Sequence, residues 1–365
     1  MLTPSREPRT FECDDELGQI TRALHARLLK EHRAIGEHRA IGEQRAIGEQ
    51  RAIEEHRAEI LALFDRAVVL WAKERRWREG LVNARRVYAA VTRWQAFDAA
   101  PYALTLAQFA HNYAMDLQSA RVFGAAEDLY REALALFEMH GDAARQMVTW
   151  FHLGRVWQET HQYPQAAHAY RARLALAQQL SDRARVGANL LQLGQVAQLS
   201  GVGDSAALYH EALALAEALA DARLAAAAAH QLGTLAQLRG EFADARGWFE
   251  KALDYAQQVD DASLSANALH HLGMVAQATS EIARAEALYH ASLAYAAKLE
   301  QLDACVPTLH QLAQCAWLRG DFAAAENLSR QSLCLVQQAG DPEAIAHVRR
   351  FLVRLTEKRS VRVQR

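Results

Sequence analysis

The chain has 365 residues, 51% of them apolar, and a formal net charge of -2, so the overall balance calls for no polyanionic partner. Abundant Ala, Leu, Gln, Glu and Arg with only six Pro favour helix throughout, and no run of 18 uncharged apolar residues offers a membrane span. Cys13, Cys305, Cys315 and Cys334 show no CxxC spacing and read as reduced thiols.

The stretch from Met1 to Glu16 carries charges and two prolines but no apolar leader core, so a cytoplasmic protein is expected. Within residues 1–30, Leu17, Ile20, Leu24 and Leu28 form a short amphipathic stripe. Such a helix has three uses: docking onto the rest of the chain, pairing with a partner helix, or self-association. Residues 31–58 follow as a hexad array, EHRAIG, EHRAIG, EQRAIG, EQRAIE, EHRAEI. Six residues advance an α-helix by about 600°, so Ile35, Ile41 and Ile47 point in different directions and build no continuous apolar face. Gly36, Gly42 and Gly48 weaken a helix further, and a frayed solvated helix or spacer is the expectation for this array.

Residues 59–106 are read as a helical region with a degenerate repeat, because Trp71-Ala72, Ala84 and Tyr88 reproduce a spacing that becomes regular afterwards. Across residues 107–345 the chain repeats with a period of forty. Leu153-Gly154, Leu193-Gly194, Leu232-Gly233 and Leu272-Gly273 share one slot, filled by Tyr113-Ala114 before and Leu312-Ala313 after. A second small slot holds Ala126, Ala166, Ser205, Ala245, Ala285 and Ala325, and four residues later stand Tyr130, Tyr170, Tyr209, Phe249 and Tyr289. Small residues in register let two helix backbones approach, and the large ring fills the space beside them. Turn signals such as Arg239-Gly240-Glu241 lie between the two small slots. Each repeat is therefore a helix, a turn and a second helix, in six copies beginning near residues 107, 147, 187, 226, 266 and 306. Residues 346–365 are expected to supply a capping helix and basic tail, since Ile345, Val348, Leu352 and Leu355 make one stripe opposite arginines. A basic terminal stretch reads as a solvated helix end more readily than as a phosphate-binding arm, which leaves nucleic acid a minor option.

The segment from His230 to Leu253, HQLGTLAQLRGEFADARGWFEKAL, resembles the tetratricopeptide repeat family, in particular its forty-residue type found in Pins/LGN-like and kinesin-light-chain-like proteins. Ser329 departs from the pattern at the aromatic slot of the sixth repeat. The resemblance implies an all-α fold, a right-handed α-solenoid of helix-turn-helix repeats with an N-terminal helical or flexible extension, whose first helices line a concave groove.

No HExxH, P-loop, GxSxG or paired-cysteine motif is present, and Gly201-Val202-Gly203 lacks the context of a dinucleotide site. No enzyme activity, cofactor or metal is expected. His111, His230, His270 and His310 share one slot, but neighbouring first helices lie about 8 to 10 Å apart, too far for one zinc ion to take ligands along the column. If exposed, these histidines would titrate near pH 6.5 and charge one face on acidification. Two columns of polar residues accompany them on the first helices. Asn112, His152, Gln192, Gln231, His271 and Gln311 precede the small residue by two positions, and Gln118, Gln158, Gln198, Gln237 and Gln277 follow it by four, with Trp317 in the last repeat. Their bland reading is that Gln is a good exposed helix former. Their functional reading is a peptide-binding groove, in which side-chain amides meet the backbone groups of an extended ligand. A non-catalytic scaffold or adaptor for a protein or peptide follows, with a peptide- or ligand-responsive sensor acting on the N-terminal segment as the alternative.

Overall fold

The computed structural model describes residues 11–38, 46–94, 97–298, 302–339 and 342–363. Among them every regular element is an α-helix: α1 (Phe11–His38), α2 (Ala46–Lys73), α3 (Trp77–Val91), α4 (Ala100–Ser119), α5 (Phe123–Met139), α6 (Ala143–Glu159), α7 (Tyr163–Gln179), α8 (Arg183–Ser200), α9 (Ser205–Ala218), α10 (Ala222–Leu238), α11 (Phe242–Gln258), α12 (Ala262–Ala278), α13 (Ile282–Lys298), α14 (Leu302–Leu318), α15 (Phe322–Ala339) and α16 (Pro342–Val363). The chain divides into two compact units, residues 1–176 and 177–365. The six repeats are the pairs α4/α5 through α14/α15, and α2/α3 forms the earlier pair whose spacing the sequence hinted at.

The first helices begin four to seven residues before the positions where the repeat motif becomes legible. Aspartates place four of these starts, those of α6, α8, α10 and α12. Asp142, Asp182, Asp221 and Asp261 each accept a hydrogen bond from the backbone N–H three residues on, at 3.0 or 3.1 Å. This satisfies one of the N–H groups that a helix leaves open at its start. The residue before each cap, Gly141, Ser181, Ala220 or Asp260, turns the chain with positive φ.

In the first unit, Leu17, Ile20 and Leu24 of α1 are buried in one core with Ile60, Phe64 and Trp71 of α2 and Val87 and Val91 of α3. The α1 stripe thus docks within its own unit. The ion pairs Arg27–Glu59 at 3.1 Å and Arg57–Glu31 at 3.0 Å run between α1 and α2, and the Arg57 guanidinium lies over the Trp94 ring. Of the hexad array, residues 31–38 continue α1 and residues 46–58 open α2, while residues 39–45 lie outside the described part.

The glycine and aromatic slots meet as their spacing requires. A Cβ built on Gly154 falls 2.7 Å from the Tyr170 ring, on Gly194 2.4 Å from Tyr209, on Gly233 2.7 Å from Phe249 and on Gly273 2.5 Å from Tyr289. Each ring occupies the volume a side chain would need, so these slots stay small. The sixth repeat has Ala313 and Ser329 instead, and there Phe351 and Leu355 of α16 join the cluster of Ala313, Ala316 and Ala325. The capping helix supplies the apolar volume that the repeat's own ring does not.

Candidate functional site

The two polar columns on the first helices have different surroundings. In the column that follows the small residue, four side-chain oxygens accept a tyrosine hydroxyl of the same repeat: Tyr130 to Gln118 at 2.9 Å, Tyr170 to Gln158 at 3.2 Å, Tyr209 to Gln198 at 2.9 Å and Tyr289 to Gln277 at 2.9 Å. The phenol of the aromatic slot brings its hydroxyl to this glutamine, and burial raises the pKa of all four tyrosines, which keeps them donors. Where the ring is Phe249, the oxygen of Gln237 accepts instead from Nδ1 of His271 at 3.4 Å. Gln277 is bonded on both ends, since its amide also donates to Gln314 at 3.3 Å. These glutamines brace the repeat.

The column that precedes the small residue is freer. Gln192, Gln231 and Gln311 are half-buried, and their amides make no hydrogen bond among the described residues. All three lie in the second unit, on α8, α10 and α14. His271, on α12 between them, stacks on Phe249 with ring centroids 5.0 Å apart. In the first unit His152 stacks on Tyr130 at 5.6 Å, and Asn112 accepts from Gln108 at 2.9 Å.

The histidines do not form an exposed titrating face, which corrects the expectation of a charge change near pH 6.5. His111 is 5% exposed. The Thr149 hydroxyl donates to the Arg145 carbonyl at 2.9 Å, so it can only accept from Nδ1–H of His111, at 3.1 Å. In the neutral ring this bond places the proton on Nδ1. Burial is the main cause that lowers the pKa of His111, His152 and His230 to about 4 and of His271 to about 3, with cationic or histidine neighbours adding to it. Burial likewise lowers His270 and His310. His270 contacts the Thr308 hydroxyl at 2.9 Å, and Nε2 of His310 accepts from the Gln314 amide at 2.8 Å. Among the described residues no three His, Cys, Asp or Glu side chains are grouped to hold a metal ion, and no helix is long and apolar enough to cross a membrane.

Spacing alone revealed neither the caps nor the tyrosine–glutamine bonds, yet both leave a signal. Asp recurs at the turns with the period of the repeat, and glutamine stands 12 residues before tyrosine, or 11 in the short repeat.

Residues 225–259 match the tetratricopeptide repeat family model. No curated protein matches the chain in sequence. Among solved structures, aspartyl phosphate phosphatase F from Bacillus subtilis is similar with a TM-score of 0.59 at 10% identity, over 97% of this chain and 96% of that one. A Rap protein complexed with competence and sporulation factor is similar with a TM-score of 0.51 at 16% identity, over 93% and 98% of the two chains. A signal transduction ATPase of the STAND type with a tetratricopeptide repeat sensor, from Pyrococcus horikoshii, gives 0.52 at 18% identity, over 93% of this chain and 56% of that one. At such identities the likeness is one of fold, and the chain is an all-α array of tetratricopeptide-like helix pairs.

Proposed function

We propose that this protein is a non-catalytic interaction module that binds an extended peptide or a partner helix along the first-helix face of its second unit. The observation that carries this reading is the set of unbonded, half-buried amides of Gln192, Gln231 and Gln311 on three of the four first helices of the second unit, α8, α10 and α14. A carboxamide offers both a donor and an acceptor, which is what the free N–H and C=O groups of an extended chain need. Apolar positions elsewhere on these helices are used in the core, whereas these polar side chains stay partly open and unpaired. The similarity to a Rap protein solved with a bound factor agrees with a ligand-binding role for such an array.

A display library of linear peptides selected on the full chain tests the reading. Selected peptides should lose affinity when Gln192, Gln231 and Gln311 are changed together to Ala, by about 2 to 4 kcal/mol if each net hydrogen bond contributes about 0.5 to 1.5 kcal/mol. Binding that survives the triple change and disappears with substitutions on exposed second-helix positions, such as Glu211 and Glu250, would place the ligand elsewhere.

A second reading is a ligand-responsive sensor, and the shared core of the first unit favours it. Phe109 of α4 and Phe137 of α5 belong to the same apolar cluster as Leu17 and Leu24 of α1, so the first repeat and the N-terminal helices are packed as one body. A bound ligand in this reading changes hydrogen exchange in α1, and in the scaffold reading it leaves α1 unchanged.

A further inference from the structure

The first helix of the sixth repeat and the capping helix bring two imidazoles together. His310 of α14 and His347 of α16 have their Nε2 atoms 3.3 Å apart and their ring centroids 4.9 Å apart. Core contacts hold them there. One turn beyond each histidine, Ala313 of α14 and Phe351 of α16 belong to one buried cluster, and the Phe351 ring packs on His310 with centroids 5.1 Å apart. His310 is half-buried and His347 is exposed.

A chain of donors fixes which nitrogen of His310 carries a lone pair. The Tyr289 hydroxyl and the Cys315 thiol both donate to the side-chain oxygen of Gln277, at 2.9 and 3.6 Å. The amide nitrogen of Gln277 therefore faces the oxygen of Gln314, at 3.3 Å, and the amide nitrogen of Gln314 donates to Nε2 of His310 at 2.8 Å. Nε2 of His310 is thus an acceptor. His347 can share that lone pair only as a donor at 3.3 Å, longer than the about 2.7 to 3.2 Å usual for an N–H hydrogen bond.

The separation fits a metal chelate better. Zinc takes imidazole nitrogen at about 2.0 to 2.1 Å, so nitrogens 3.3 Å apart subtend about 104 to 111° at the ion, the tetrahedral range. Rings aimed at such an ion have centroids about 5 Å apart, close to the separation found here. The right angle of a square-planar or octahedral ion would need the nitrogens about 2.9 Å apart.

We propose that His310 and His347 chelate a zinc ion that ties the capping helix to the last repeat, with water in the other two positions. The ion takes the lone pair that the Gln314 amide otherwise uses, and that amide is left to bond a metal-bound water. Arg354, whose charge also acts on His310, opposes a dication and keeps the site weaker than a four-ligand one. The proposal rests on α14 and α16 and does not depend on the amides of Gln192, Gln231 and Gln311.

Calorimetric titration of the full chain with zinc chloride tests it. The wild type should take up one equivalent that His310→Ala and His347→Ala each remove, while a change at the exposed His161, His161→Ala, leaves it in place. Because His347 is exposed, its variant decides if His310→Ala does not fold. Gln314→Glu brings a carboxylate within reach of His310 as a third ligand and should tighten that equivalent about tenfold. Zinc should also slow backbone hydrogen exchange in α16 of the wild type and not of His347→Ala. Identical isotherms for the wild type and His347→Ala, no tightening by Gln314→Glu, or exchange in α16 indifferent to zinc would each overturn the proposal. The triple Ala variant at Gln192, Gln231 and Gln311 should bind zinc like the wild type, so this site and the amide face fail or succeed separately.

Discussion

Two glycines of one repeat should respond to the same substitution with opposite signs. Gly233 lies in α10 and Gly247 in α11. In an unstrained helix interior, Gly→Ala gains about 0.5 to 1 kcal/mol of stability. A Cβ on Gly247 meets nothing within 4 Å, so Gly247→Ala should show that gain in full. A Cβ on Gly233 would lie 2.7, 2.8 and 3.0 Å from three carbons of the Phe249 ring. Carbon atoms pack at about 3.5 to 4.0 Å, so ring or helix must move by roughly 0.5 to 1 Å. Overpacking of this kind costs about 1 to 3 kcal/mol, and subtracting the helix gain leaves Gly233→Ala destabilising by up to about 2.5 kcal/mol. Phe249→Ala separates the two terms. It costs about 3 to 5 kcal/mol by itself but removes the clash, so in that background Gly233→Ala should stabilise. The coupling across the cycle should be about 1 to 3 kcal/mol. Urea unfolding followed by far-ultraviolet circular dichroism measures the wild type and all four variants, with m-values checked for loss of cooperativity. Equal stabilisation by Gly233→Ala with and without the ring would refute the argument that the ring excludes a side chain from this slot.

Other parts of the repeat give further tests. Tyr209→Phe should cost about 0.5 to 1.5 kcal/mol in urea melts because Gln198 loses its donor, and an unchanged midpoint would show the bond to be idle. Asp261→Ala should cost about 0.5 to 2 kcal/mol by uncapping α12, while Asp261→Asn should recover most of it. The histidines predict the acid response. Their folded pKa values lie below the unfolded value, near 6.5, so the unfolded chain binds more protons and stability should fall as pH drops from about 6.5 to 4. His111→Gln should flatten part of that decline in urea midpoints taken at intervals across the range, and a profile equally steep in the variant would count against burial of a neutral ring.

The sequence by itself determined the helix pairs and their register. Leu-Gly and the aromatic slots recur every forty residues, and only a second helix folded back on the first brings Gly233 and Phe249 together. A period is a statement about covalent spacing, so it survives in the chain whatever surrounds it. The α1 stripe was legible too, but not its destination, because an apolar face states that it needs a cover and not which cover it has. Tertiary structure alone decided what the polar columns do. Gln198 and Gln231 are alike as letters on a helix; one is taken by the hydroxyl of a buried tyrosine and the other is left unbonded. The same holds for histidine. His111 sits in a regular column, yet its ionisation depends on how little water reaches the ring and on His152 in the next helix pair. Hydrogen-bond partners and desolvation are set by groups brought together in space, and for these side chains the partners come from a neighbouring helix, beyond the reach of local spacing.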